Sequence, residues 1–184
     1  MRRFIAIALT VMAMTLLFAA PVLAEERTCR GSLGAVRVDN LRVPQGATCT
    51  LSGTYIKGTL KVERDATLRA SRVRVVGNVQ AENHRAVTLS SSTIGGSVQL
   101  KQGGSATVTG NRITGDLQFD TDRRAISAKS NIITGSLQAF SNTGGLTISS
   151  NRINGNLQCK SNVPAPTGSG NIVQGNKEDQ CRRL

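Results

Sequence analysis

Residues 111–118 read Asn111-Arg-Ile-Thr-Gly-Asp-Leu-Gln118, and residues 151–158 read Asn151-Arg-Ile-Asn-Gly-Asn-Leu-Gln158. The two octets differ only at their fourth and sixth places. Their glycines belong to a series of anchors: Gly58, Gly77, Gly96, Gly115, Gly135, Gly155 and Gly175. The spacings are 19, 19, 19, 20, 20 and 20 residues. A fixed period of this length is the signature of a repeat architecture.

Apolar residues keep constant offsets from the anchors. Two before each glycine stand Ile56, Val75, Ile94, Ile113, Ile133, Ile153 and Val173. Two after it come Leu60, Val79, Val98, Leu117, Leu137 and Leu157, and four after it Val62, Ala81, Leu100, Phe119, Ala139 and Cys159. Seven before it come Leu51, Ala70, Leu89, Val108, Ala128 and Ile148; nine before it come Cys49, Leu68, Val87, Ala106, Ile126 and Leu146. Within each run the period is two, which is the period of a strand. A unit this short cannot bury its apolar face alone, but stacked units can. The expected fold is all-β: a single parallel β-helix solenoid of about 20 residues per coil and roughly seven coils.

Polar positions repeat as well. Asn111, Asn131, Asn151 and Asn171 lie four before the anchor. Asn tolerates left-handed backbone, and stacked Asn side chains can hydrogen-bond along the stack. A turn ladder is expected there. Gln80, Gln99, Gln118, Gln138 and Gln158 lie three after the anchor and predict a second, outward ladder.

The ends predict caps. Cys29 and Cys49 are 20 residues apart, and Cys159 and Cys181 are 22 apart. One coil separates each pair, and adjacent coils bring Cα atoms within disulfide reach. The expected disulfides are Cys29–Cys49 and Cys159–Cys181. A zinc site would need closely paired cysteines, which this spacing lacks. Lys177 occupies the slot that leucine fills in earlier coils, so the stack should stop there. Pro164 and Pro166 break the preceding strand.

The first 24 residues read as a secretory signal. Arg2 and Arg3 form a basic start, Phe4 to Ala20 an apolar run, and Val22-Leu23-Ala24 a small-x-small cleavage site. An uncleaved anchor is the rival reading. Pro21 favours cleavage after Ala24, placing the mature protein in the periplasm or outside the cell. The expected organisation is 1–24 signal peptide, 25–57 N-terminal capping coils, 58–163 regular repeats, and 164–184 C-terminal cap and tail. Without Arg2 and Arg3 the chain has 21 Lys and Arg against 11 Asp and Glu, a formal charge of +10. Such a field attracts anionic polymers.

The octets and the closing stretch, Gly155-Asn-Leu-Gln-Cys-Lys160 and Asn171-Ile-Val-Gln-Gly-Asn-Lys-Glu-Asp-Gln-Cys181, resemble secreted bacterial proteins of the right-handed parallel β-helix type. A weaker resemblance is to bactofilins, polymer-forming β-helices with an Ile-x-Gly-x-Leu/Val repeat. The resemblance implies a right-handed coil. That fold hosts lyases, hydrolases, adhesins and structural proteins, so it leaves function open.

Several faces are candidates. Arg74, Arg112 and Arg152 fall three before the anchor, as a basic stripe interrupted by Thr93, Ile132 and Ile172. Arg123 and Arg124 follow Asp120-Thr-Asp122. Arginines of this kind hold phosphate or carboxylate polymers. Glu63 and Glu82 at one-coil spacing could form a glycosidase pair. Asp120 and Asp122 with an adjacent Arg suggest a calcium-dependent lyase, but two acids are too few for calcium. Thr50-x-Ser52, Thr88-x-Ser90, Thr107-x-Thr109, Thr147-x-Ser149 and Thr167-x-Ser169 suggest an ice-binding array, broken by Arg69 and Lys129. His84, the only histidine, reads as part of a solvated turn.

The expectation is a non-catalytic exported protein, structural or adhesive, without metal or cofactor, monomeric, that binds anionic envelope polysaccharide or lipopolysaccharide. Aromatics make up 3% of the chain, too few to stack nucleic-acid bases along a surface. The alternatives are a β-helix polysaccharide lyase or hydrolase, and a self-assembling or ice-binding solenoid.

Overall fold

The computed structural model describes residues 25–184. The expected signal peptide, residues 1–24, lies outside the described residues. Among the described residues, 24 short strands follow one another in a repeating order around three parallel sheets, here named A, B and C. Sheet A has nine strands, sheet B seven and sheet C eight. One coil contributes one strand to each sheet. The chain therefore makes about eight turns, one more than the anchors mark. The extra coil spans Glu26–Val43, where Asp39 stands at the first anchor place and its carbonyl accepts the Gly58 N–H at 2.7 Å.

The register is the one the offsets predict. Val79, Gln80, Ala81 and Glu82 pair with Val98, Gln99, Leu100 and Lys101. Every inward position alternates with an outward one. All five apolar columns are buried from Cys49 to Cys159, with Phe119 the largest side chain in the core. Each fully buried Leu, Ile or Val contributes about 1.5–3 kcal/mol. The core is therefore a continuous rod of stacked aliphatic side chains.

Three bends close each coil. At the C-to-A bend the anchors stack directly, and each N–H donates to the preceding anchor's carbonyl at 3.0–3.2 Å from Gly77 to Gly175. A Cβ on Gly77 would lie 2.6 Å from the Gly58 carbonyl oxygen. Coil spacing there leaves room only for glycine.

The other two bends share one plan. A single residue takes the left-handed conformation, and the next residue turns inward. At the B-to-C bend the left-handed residues include Arg72 (φ 52°), Ser91 (φ 49°), Ser130 (φ 54°) and Ser150 (φ 57°). The asparagines follow them and are themselves right-handed or extended. This corrects the expected role of Asn111, Asn131 and Asn151: they are chosen for their side chains, not for their backbone.

Both expected disulfides are present, with Cα–Cα distances of 5.7 Å for Cys29–Cys49 and 5.3 Å for Cys159–Cys181. Lys177 pairs with Leu157 at the end of the inward column, and sheet A stops with that strand. No sheet B strand forms between Lys160 and Ile172, the stretch that includes Pro164 and Pro166. Among the described residues no helix is long and apolar enough to cross a membrane.

Candidate anion-binding surfaces

Two of the predicted polar rows are structural. Asn131 Nδ2 donates to the Val108 carbonyl at 2.9 Å and to Asn151 Oδ1 at 2.9 Å. Its Oδ1 accepts the Asn111 N–H at 3.0 Å. Asn151 repeats this pattern, and Asn171 ends the ladder by donating to the Ile148 carbonyl and accepting from Asn151. On sheet A the glutamine amides link coil to coil, from Gln80 to Gln99 at 3.2 Å through Gln138 to Gln158 at 3.0 Å. Glu178 ends that row by accepting from Gln158 at 2.8 Å. With their amides committed to each other, these glutamines are poorly free to grip a sugar.

Sheet C presents the basic stripe. Its outward row runs Arg37, Tyr55, Arg74, Thr93, Arg112, Ile132, Arg152, Ile172 in strict register. The interruptions are regular: an arginine stands on every second coil, about 9.6 Å apart along the stack at two strand spacings. Arg37 and Arg74 flank the Tyr55 ring, with guanidinium carbons 4.4 and 5.8 Å from its centroid. Ile132, between Arg112 and Arg152, and Ile172, at the end of the row, are exposed. The eight carboxylates from Glu63 onward all lie on sheet A or its flanking bends. The sheet C face is therefore positive without counter-charges of its own from Ser52 to Gln174.

Arg123 and Arg124 are not part of this face. They lie at the A-to-B bend, where the inward column reads Ala66, His84, Gly103, Asp122, Asn142, Asn162. Asn142 and Asn162 form a second asparagine ladder: Asn142 Nδ2 donates to the Phe119 carbonyl at 3.1 Å and to Asn162 Oδ1 at 2.8 Å. Gln180 caps it, accepting from Asn162 at 2.9 Å. Asp122 Oδ1 takes the ladder role by accepting the Gly103 N–H at 2.7 Å. Its Oδ2 has no partner. Burial, the largest cause, pushes its carboxyl up to about 6. The expected charged turn is thus half buried machinery, because Asp122 points inward while Arg123 and Arg124 point out.

His84 also departs from expectation. It is 2% exposed rather than solvated, and neither ring nitrogen has a hydrogen-bond partner. Burial lowers its pKa to about 4, so the imidazole is neutral at pH 7. The Ser105 backbone beside the ring opposes this shift. Among the described residues, His84 and Asp122 own the only buried side-chain polar atoms left without partners.

Above this column is a depression of about 620 Å³. Arg64 and Arg85 line it on one side and Arg123 and Arg124 on the other, with His84 and Gly103 between. All four arginines are exposed and, among the described residues, none is within ion-pair distance of a carboxylate. Arg64 and Arg85 were not among the residues expected from sequence. They stand six and eight residues after their anchors; Arg85 shares the offset of Arg123, but Gly104 holds that place in the coil between them.

The candidate acids lie near one another: Glu63 and Glu82 line one shallow depression on adjacent coils, and Asp120 is close enough to Asp122 to act on its charge. Glu63 accepts the Gln45 N–H at 3.1 Å and lies 3.6 Å from Arg42. Glu82, Lys101 and Asp120 pair in register as alternating charges, with no ion pair within 4.0 Å. The hydroxyl row on sheet B is in register but broken by Arg69. No group of metal-ligating side chains occurs among the described residues. No family model, curated protein or solved structure matches the chain.

Proposed function

We propose that the protein is a non-catalytic, exported β-solenoid that holds an anionic polysaccharide of the cell envelope, or lipopolysaccharide, along sheet C. One observation carries this reading. Four arginines at a fixed two-coil period line a straight face that has no carboxylate over its last seven coils. A rigid rod with evenly placed positive groups suits an extended polymer with evenly placed negative groups. Exposed Ile132 and Ile172, and Tyr55, offer apolar contact to the faces of sugar rings between those charges. Export is supported by two disulfides, which form and persist in oxidising compartments. A structural or adhesive role is supported by the straight, regularly stacked faces of the three sheets.

The test is co-sedimentation with purified peptidoglycan and lipopolysaccharide across a salt series. Binding should weaken steeply with salt. The triple variant Arg74→Gln/Arg112→Gln/Arg152→Gln should bind roughly tenfold less tightly, three exposed charge contacts amounting to about 1.5 kcal/mol. Lys160→Gln, on sheet A, should bind as the unaltered protein does. Equal binding by the triple variant, or none by any form at low salt, would sink the reading.

A further inference from the structure

The depression at the A-to-B bend differs from the stripe in shape and in floor. It spans four consecutive coils, about 14 Å along the stack at three strand spacings. Its concavity has a definite origin. One coil places Gly103 and Gly104 at the bend, while the coils on either side place His84-Arg85 and Asp122-Arg123-Arg124 there. Neither glycine is in the left-handed region. They are required for space. A Cβ on Gly103 would strike the His84 ring, and one on Gly104 would strike the Arg85 carbonyl. The buried His84 imidazole fills the space a Gly103 side chain would take, and the missing side chain of Gly104 leaves the surface above it low, as a notch.

The notch gathers four guanidinium groups from two sides with one acid, exposed Asp65, at its edge. Guanidinium forks bind phosphate oxygens two at a time. A tetrahedral phosphoryl group has three terminal oxygens and can engage forks from both sides together. A planar carboxylate has two oxygens and suits one fork. Beneath the floor the His84 ring is neutral and buried, with both ring nitrogens shielded from solvent, so it senses the notch without itself gripping the ligand. The volume, about 620 Å³, is several times what a bare phosphate needs and admits an attached sugar.

We propose that the notch formed by Gly103 and Gly104, walled by Arg64, Arg85, Arg123 and Arg124 and lying over His84, binds the phosphomonoester of a phosphorylated sugar. It is a discrete site at another edge of the solenoid from the sheet C stripe, and it does not depend on the polymer reading.

His84 is the only histidine, so its imidazole NMR signals report on the notch without ambiguity. The experiment titrates the purified protein with glucose 1-phosphate, with glucuronate at equal concentration, and with phosphorylated lipopolysaccharide, following those signals. Glucose 1-phosphate should produce a saturable shift, and glucuronate a response at least about tenfold weaker. Arg85→Gln/Arg124→Gln, both exposed, should preserve the starting spectrum and weaken the phosphosugar response by about tenfold or more. Arg112→Gln/Arg152→Gln, on sheet C, should leave it unchanged, which separates this site from polymer binding. A tenfold tighter response to the soluble phosphosugar or to lipopolysaccharide identifies the source of the phosphate. An equal response to glucuronate, an undiminished response in Arg85→Gln/Arg124→Gln, or no response to either phosphate ligand would overturn the proposal.

Discussion

The B-to-C and A-to-B bends are built on the same plan and have come to different ends. Each coil turns at both through one left-handed residue followed by one inward residue. In the C-terminal half both inward columns are asparagine, fully bonded. Toward the N-terminus the B-to-C column changes to Ser92, Val73 and Thr54, and remains satisfied. Ser92 Oγ donates to the Ser90 carbonyl at 2.7 Å and accepts the Val73 N–H at 3.1 Å, while Thr54 Oγ1 donates to the Gly34 carbonyl at 2.8 Å. The A-to-B column changes to Asp122, Gly103 and His84, and leaves three buried polar atoms unpartnered. Buried polar groups without partners cost stability, so their concentration in one bend, under four free arginines, marks where this fold gives up stability. The lesson is that a ladder can be relaxed in two ways, and only one of them leaves buried polar groups without partners.

The largest expected effect tests the satisfied bend. Asn131→Ala removes the donor to the Val108 carbonyl and the acceptor for the Asn111 N–H. Thermal unfolding should show a loss of roughly 3 kcal/mol, or about 6–12 °C in Tm. A change below 2 °C would mean that the ladder is ornamental.

The next effects belong to the unsatisfied bend and have opposite signs. The Asp122 carboxyl has its folded pKa raised from 3.8 to about 6. Its folded state favours the proton, so stability is greatest below the unfolded value and is lost as pH rises from about 4 to 6. His84 has its folded pKa lowered from 6.5 to about 4. The unfolded chain takes up that proton first, so stability is lost as pH falls from about 6.5 to 4. Each shift corresponds to about 3 kcal/mol, and in the unaltered protein the two slopes largely cancel. Asp122→Asn should leave only the histidine slope and lose stability toward pH 4. His84→Asn should leave only the aspartate slope and gain stability toward pH 4. Denaturant midpoints at pH 4, 5, 6 and 7 read both. Parallel slopes in the two variants would refute the account of these groups.

The smallest effect concerns the outward ladder. Gln118 exchanges amide bonds with Gln99 and Gln138 on a partly exposed face. Gln118→Ala should cost less than about 1 kcal/mol, because water can replace what is lost. A cost equal to that of Asn131→Ala would show that exposure does not separate the ladders.

Much of this was legible in the sequence for a simple reason. A solenoid stacks residue upon residue, so a constant offset in the chain becomes a column in space. The five apolar columns, the Asn111–Asn171 and Gln80–Gln158 ladders, and both disulfides all follow from offsets. The second asparagine ladder was equally legible: His84, Gly103, Asp122, Asn142 and Asn162 each stand seven after an anchor. Its change of residue type hides it from a search for repeated identity.

The notch was not legible, because it arises where the offset rule fails. The coil carrying Arg123 and Arg124 uses nine steps from Leu117 to Ile126 at the A-to-B bend, where the preceding coil uses eight from Val98 to Ala106. The extra residue leaves Arg123 eight after its anchor, as Arg85 is, and adds Arg124 at nine, while Arg64 stands at six. Sequence alone determined the fold, the core and the ladders, because those depend on period and pairing. Tertiary structure alone decided that arginines six, eight, eight and nine residues after their anchors line one depression, and that His84 and Asp122 are left there without partners. Convergence and burial depend on how far each bend reaches and on which neighbour supplies no side chain.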